Sequence, residues 1–184
     1  MPAETLELDY EGELGVVIGH RCRHVPTSRA LEHIAGLVVA NDVSARDAQF
    51  GDVQWVRGKS FDTFCPLGPW IQTPDELSNS KELEISTWVN GQLRQQSNTR
   101  HLIFPIDALI AYCSRYFTLN PGDIILSGTP AGVGFSMTQQ SYLQSGDIVE
   151  VEVGGVLVAV GVGVSVGVDV GVLSFVPFVG AVSN

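Results

Sequence analysis

Basic residues are scarce in this chain. Ten Lys and Arg stand against 20 Asp and Glu, a formal net charge of -10. No basic run interrupts that balance, so the sequence offers no footing for a nucleic-acid backbone or an anionic membrane surface. Cysteine is scarcer still. Cys22, Cys65 and Cys113 are too few and too scattered for a disulfide framework, and no C-x-x-C pair suggests a thiolate metal site. Each reads as a small buried apolar residue. The opening Met1-Pro2-Ala3-Glu4 lacks a basic region followed by an apolar core, which predicts no secretory signal and a cytoplasmic protein. No Gly-Lys-Ser/Thr closes the glycine-rich loop 128–134, which excludes a P-loop.

What is present suits one domain with a substantial core: 184 residues, 45% hydrophobic and 16% charged. Residues 8–19 alternate with period two. Tyr10, Leu14, Val16 and Ile18 are apolar, and Asp9, Glu11 and Glu13 lie on the other face. That pattern predicts a strand, and neighbours i and i+2 on a strand point the same way. Glu11 and Glu13 therefore project side by side, an arrangement that repels unless a proton or a cation sits between them. Ser28 is placed to cap a short helix through Ala35, with Gly36 ending it. The apolar run 37–40 reads as a buried strand stopping at Asn41-Asp42. Two prolines in 65–70 keep that segment extended or turning.

Residues 83–96 read as a hairpin, because Asn90-Gly91 supplies the positive φ angles of a two-residue turn. Pro105 opens a helix carrying Ile106, Leu109, Ile110, Cys113 and Phe117 at helical spacing, and Asn120-Pro121-Gly122 stops it. Strands follow at 123–127 and 148–153, each begun by Gly-Asp. From about Val156, Val and Gly alternate with almost no charge. The hydropathy would suit a membrane span, but the period is two and Gly and Val are poor helix formers. A long strand or hairpin, or a poorly ordered apolar tail, is the expectation there.

Asp42 joins Glu11 and Glu13 as a third carboxylate, at the end of an apolar strand. Three carboxylates without thiolate or paired His suit a hard cation with oxygen ligands, Mg²⁺ before Zn²⁺. Arg46 and Lys59 are the nearest cations in sequence, either as structural partners of the acids or as holders of a carboxylate substrate. The 128–134 loop could cradle an anion on its N–H groups, with Thr129 offering a hydroxyl, or be a plain strand-to-loop turn.

Five stretches, in this order, bear a resemblance: DYEGELGVVIG (9–19), VANDVSARDAQ (39–49), RGKSFDTFCPLGPW (57–70), VNGQLRQQSNT (89–99) and GDIILSGTPAGVG (122–134). The chain resembles the fumarylacetoacetate hydrolase family, in its acylpyruvate hydrolase-like branch, over roughly 7–155. The resemblance implies a β-rich mixed α+β fold, a β-roll with a few short helices, usually in a homodimer. It implies that Glu11, Glu13 and Asp42 bind Mg²⁺ or Mn²⁺, that Arg46, Gln49, Lys59 and Thr129 contact the substrate, and that Lys59 is catalytic. It divides the chain into a catalytic domain, 1–155, and a divergent Gly/Val-rich tail, 156–184.

There are two departures. Family members generally carry a further N-terminal segment holding a lid and a His–Glu pair that activates water, and only eight residues precede Asp9 here. His20, His24, His33 and His101 do not occupy that motif. The tail also differs from the family's short, more polar last strand. The chemistry implied is metal-dependent C–C cleavage of an acylpyruvate through a pyruvate enolate, stabilised by the metal and by Lys59. The alternatives are oxaloacetate decarboxylation or keto-acid isomerisation or hydration on the same site, or a truncated, non-catalytic binding module.

Overall fold

A computed structural model describes residues 2–76 and 82–162. In chain order the strands and helices are β1 (Leu8–Asp9), β2 (Gly12–Ile18), β3 (Ile34–Asn41), β4 (Ser44–Ala45), α1 (Arg46–Gly51), α2 (Val56–Lys59), β5 (Leu67–Gln72), β6 (Glu84–Val89), β7 (Gln92–Asn98), α3 (Ile106–Tyr116), β8 (Ile124–Leu126), β9 (Ile148–Val153) and β10 (Val156–Gly161). Two antiparallel four-stranded sheets carry the fold, in the orders β5-β3-β2-β8 and β10-β9-β6-β7, and β1 pairs with β4 beside them. This is the β-rich architecture with few short helices that the resemblance implies.

β2 packs on β6 and β9, and β3 on β9, so the two sheets share one core. Leu14, Val16 and Ile18 enter it with Val39, Ile85, Val149 and Val151. Every residue of β2 is buried, so the strand is central rather than half-exposed. The alternation correctly separates its faces, but burial covers both.

The strand expected over 8–19 is broken at Tyr10 and Glu11. The Asp9 carboxylate accepts from Tyr10 N at 2.9 Å, and Asn41 Oδ1 accepts from Glu11 N at 3.0 Å. Two side chains thus take the amides that a continuous ladder would use. The helix expected from Ser28 is a 3-10 helix over Thr27–His33, preceded by Pro26 and without a side-chain cap. Gly36 does not end it but lies inside β3. A Cβ there would meet Gln72 O at 2.4 Å, so only glycine lets β3 and β5 approach this closely.

Other sequence signals work as read. Asn90 and Gly91 have φ of 52° and 72°, and the hairpin they turn runs on to Asn98. Both Gly-Asp starts use the same device: Asp123 accepts from Asn120 N and Asp147 from Gln144 N, each at 2.8 Å. Pro105 precedes α3, which buries Ile106, Ile110 and Cys113, while Phe117 leaves the helix at its C-cap and is exposed. Val156–Gly161 extends the second sheet beyond residue 155 by pairing with β9. The Gly/Val alternation from 163 onward lies outside the described residues. Among the described residues no helix is long and apolar enough to cross a membrane.

Candidate metal centre and active site

The break before β2 builds the site. The register sets Gly12 opposite Asn41, and Asp42 N donates to Glu11 O at 2.8 Å. That bond brings Asp42, just past the end of β3, beside Glu11, while Glu13 follows two residues later on β2. The three carboxylates converge, with one oxygen of each within 4.8 Å of the others, and all three are buried. Gly128 N donates to Glu13 Oε2 at 2.7 Å, which ties the start of the 128–134 loop to the cluster.

Lys59, at the end of α2, bridges the acids. Its Nζ lies 2.8 Å from Glu11 Oε2 and 2.7 Å from Asp42 Oδ2. Arg46 opens α1 and is 4% exposed. Its Nη1 contacts Glu11 Oε1 at 2.7 Å and donates to Gln49 Oε1 at 2.9 Å. Its Nε donates to Asp9 Oδ2 at 2.9 Å, and Nη2 lies 2.8 Å from that same oxygen, an ion-pair contact without hydrogen-bond alignment. Gln49 therefore stands behind Arg46, and Arg46 behind Glu11. Thr129 donates to Gly12 O at 3.0 Å and accepts from Gln95 Nε2 at 2.7 Å. The structure thus gathers Glu11, Glu13, Asp42, Lys59, Arg46 and Gln49 around one point, with Thr129 adjoining it across Gly12.

The electrostatics ask for a cation. Burial pushes the Glu13 carboxyl well above the usual carboxylate range, and Asp42 and Glu11 push it further. Burial raises Asp42 too, against the pull of Lys59. Burial alone would lower the Lys59 ammonium, but Asp42 and Glu11 outweigh it, so it stays protonated. Asp9, Glu11, Glu13 and Asp42 face Arg46 and Lys59, which leaves two negative charges when all are ionised, the charge of one divalent cation. An all-oxygen donor set of this charge fits Mg²⁺ or Mn²⁺. Cys65 stands near these acids, and burial, then Asp42 and Glu13, push its thiol up to about 12.

Two participants escape a sequence reading. Gln95 is buried and accepts from Gly12 N at 3.0 Å while holding Thr129; it lies in the 89–99 stretch that carries the resemblance, but its polar run on β7 gives no chemical reason to single it out. Asp9 is fully buried and ion-paired, where alternation offers only an acid on a strand face. Among the described residues, His20, His24, His33 and His101 make no hydrogen bond to the acids or to Lys59.

A family model described as fumarylacetoacetate (FAA) hydrolase C-terminal matches residues 1–163. The chain belongs to the fumarylacetoacetate hydrolase family. It is 48% identical over 155 residues to the mitochondrial oxaloacetate tautomerase FAHD2B of Bos taurus, covering 83% of this chain and 49% of that protein. It is 46% identical to the 2,4-didehydro-3-deoxy-L-rhamnonate hydrolase of Sphingomonas sp. (strain SKA58), covering 82% of this chain and 54% of the relative. Among solved structures, the fumarylacetoacetate hydrolase of Exiguobacterium antarcticum superposes with a TM-score of 0.84 at 43% identity, covering 86% of this chain and 57% of that one. The 5-carboxymethyl-2-hydroxymuconate delta-isomerase of Mycobacterium smegmatis does so with 0.80 at 46%, covering 88% and 61%. The chain spans about half the length of the curated relatives it matches.

Proposed function

We propose that this family member processes small keto acids by stabilising an enolate at the Glu11–Glu13–Asp42 site. The observation that carries this is a triad of buried carboxylates with Lys59 held against two of them. Glu11, Glu13 and Asp42 would hold Mg²⁺ or Mn²⁺, and the bound ion would supply Lewis-acid polarisation of a keto oxygen. Lys59 brings a fixed positive charge to the same place and stabilises the negative charge that develops when a C–C or C–H bond next to the ketone breaks. Arg46 and Gln49 hold Glu11 from behind and present the guanidinium field to a substrate carboxylate. Thr129 supplies a hydroxyl at the loop edge.

Two finer readings share this enolate. The first is hydrolysis of an acylpyruvate C–C bond, which requires a positioned base to activate water. The second is keto–enol interconversion or decarboxylation of an oxaloacetate-like acid, which needs no attacking water. The oxaloacetate tautomerase and the isomerase among the relatives support the second, and the two hydrolases among them support the first. The homodimer implied by the family belongs to the same proposal and is read by sedimentation equilibrium. The deciding experiment is turnover of oxaloacetate and a panel of acylpyruvates, with Mg²⁺, with Mn²⁺ and with chelator. Metal-dependent loss of substrate supports the reading. Chelator-insensitive turnover refutes it, and so does inactivity of this chain when joined to the remaining half of a relative.

A further inference from the structure

Asp9 lies outside the acidic triad, yet it is the most enclosed acid at the site, with no exposed surface. Its Oδ1 accepts from Tyr10 N at 2.9 Å and from Gly134 N at 2.8 Å. Its Oδ2 accepts from Phe135 N at 3.0 Å and from Arg46 Nε at 2.9 Å. A Cβ at residue 134 would fall 2.8 Å from Asp9 Oδ1, so the turn approaches the carboxylate at glycine. Phe135, from that turn, places its ring 5.9 Å from the Arg46 guanidinium carbon. Asp9 thus fixes one edge of the guanidinium by charge and, through the turn, holds the Phe135 ring within cation–π distance of it.

This arrangement decides what Arg46 can do to Glu11. With Nε hydrogen-bonded to Asp9 Oδ2 and Nη2 in ion-pair contact with the same oxygen, Nη1 is the nitrogen that contacts Glu11, at Oε1. The other oxygen, Oε2, is kept clear of Arg46 and accepts from Lys59 Nζ at 2.8 Å, the partner a metal ion would replace there. An unrestrained arginine pairs with a carboxylate through two parallel N–H bonds, occupying both oxygens.

We propose that Asp9 is a positioning residue that restricts Arg46 to one oxygen of Glu11 and so keeps the second oxygen available as a cation ligand. The inference rests on the metal reading of the triad given above. Asp9→Asn removes the negative charge, and because both Asp9 oxygens accept from N–H groups, the amide nitrogen meets a donor in either orientation. The guanidinium loses its anchor, and Glu11 becomes its remaining anionic partner.

The test is Mn²⁺ alone titrated into the chain, followed by electron paramagnetic resonance of free Mn²⁺, with circular dichroism to verify folding. Asp9→Asn is expected to raise the Mn²⁺ Kd by roughly 10–100-fold, the usual effect of losing a partner that orients a metal ligand. In an Arg46→Gln background there is no guanidinium to misplace, and Asp9→Asn should add no further weakening. A merely structural role would weaken binding in both backgrounds and would overturn the proposal. Unchanged Kd in folded Asp9→Asn overturns it as well. Should Asp9→Asn not fold, Asp9→Glu carries the test: it keeps the charge but displaces the guanidinium by one methylene, and unchanged affinity there is equally fatal. A wild-type chain that binds no Mn²⁺ brings down the metal reading itself and the role of Asp9 with it, a result distinct from failure of the variant alone.

Discussion

Glu13→Gln should stabilise the metal-free protein and abolish its response to Mg²⁺. The amide is nearly isosteric, and its carbonyl can keep the bond that Glu13 Oε2 accepts from Gly128 N at 2.7 Å. What changes is charge. The Glu11, Glu13 and Asp42 oxygens lie within 4.8 Å of one another. At an effective dielectric of about 20, two unit charges at that separation repel by about 3 kcal/mol. Charge delocalisation, partial protonation of Glu13 and the nearby Lys59 reduce this, so a gain of about 1–2 kcal/mol is expected on losing the Glu13 charge. The sign depends on pH. Glu13 is raised by burial and by Asp42 and Glu11, so the folded state holds its proton more tightly than the unfolded state does. Metal-free stability is therefore lost as pH rises from the unfolded carboxylate value through the raised folded one. Below that window wild type and variant should converge, and above it they should separate.

The assay is urea unfolding across pH in chelator and in Mg²⁺. Wild type at about 100-fold excess over Kd should gain about 2.7 kcal/mol, and Glu13→Gln little. Clear destabilisation of the chelated variant at neutral pH would refute the charge argument, and an equal Mg²⁺ gain in both proteins would remove Glu13 from the ligand set.

Lys59→Met should lower kcat on the order of 10²–10³-fold in steady-state kinetics. Its Mg²⁺ affinity by calorimetry should hold or rise, since Nζ now contacts Glu11 and Asp42 at 2.8 and 2.7 Å; unchanged kcat with reduced stability would make Lys59 a structural partner only. Oxaloacetate decarboxylation needs no activated water, so it should outpace acylpyruvate hydrolysis by this chain when the two are measured side by side; equal rates would reveal a positioned base within the chain. The Cys65 thiol, pushed up to about 12, should alkylate far more slowly than a free thiol at pH near 8, and Mg²⁺ should speed the reaction by neutralising Asp42 and Glu13, as iodoacetamide labelling followed by mass spectrometry would show. Gly36→Ala should cost about 1–3 kcal/mol by overpacking β3 against β5, read in chemical denaturation.

How far the site was legible follows from the reach of each physical signal. Period-two alternation places Glu11 and Glu13 on one face, and the end of an apolar run places Asp42 at a strand terminus. Both are local facts, and both hold in the fold. Alternation says nothing of what lies across the strand, and both faces of β2 are covered. It is equally silent on side chains that capture main-chain amides, which is why the Asp9 and Asn41 contacts that break the strand before Gly12 were not visible.

The direction of Arg46 was beyond local reading for a deeper reason. A buried guanidinium turns toward whichever anions the tertiary fold brings near, and its partners Asp9 and Glu11 lie more than thirty residues away in the chain. The turn at Gly134 and Phe135 that completes the Asp9 cage is more distant still. The same geometry gives Arg46 a consequence beyond charge neutralisation. Arg46, which shields Glu11, would also compete with a metal for it if free to swing, because it could then reach the second oxygen as well. On the positioning role proposed for Asp9, a second acid occupies the arginine and is buried deeply enough not to become a ligand itself. Asp9, with no exposed surface and three main-chain N–H groups on its oxygens, meets both conditions.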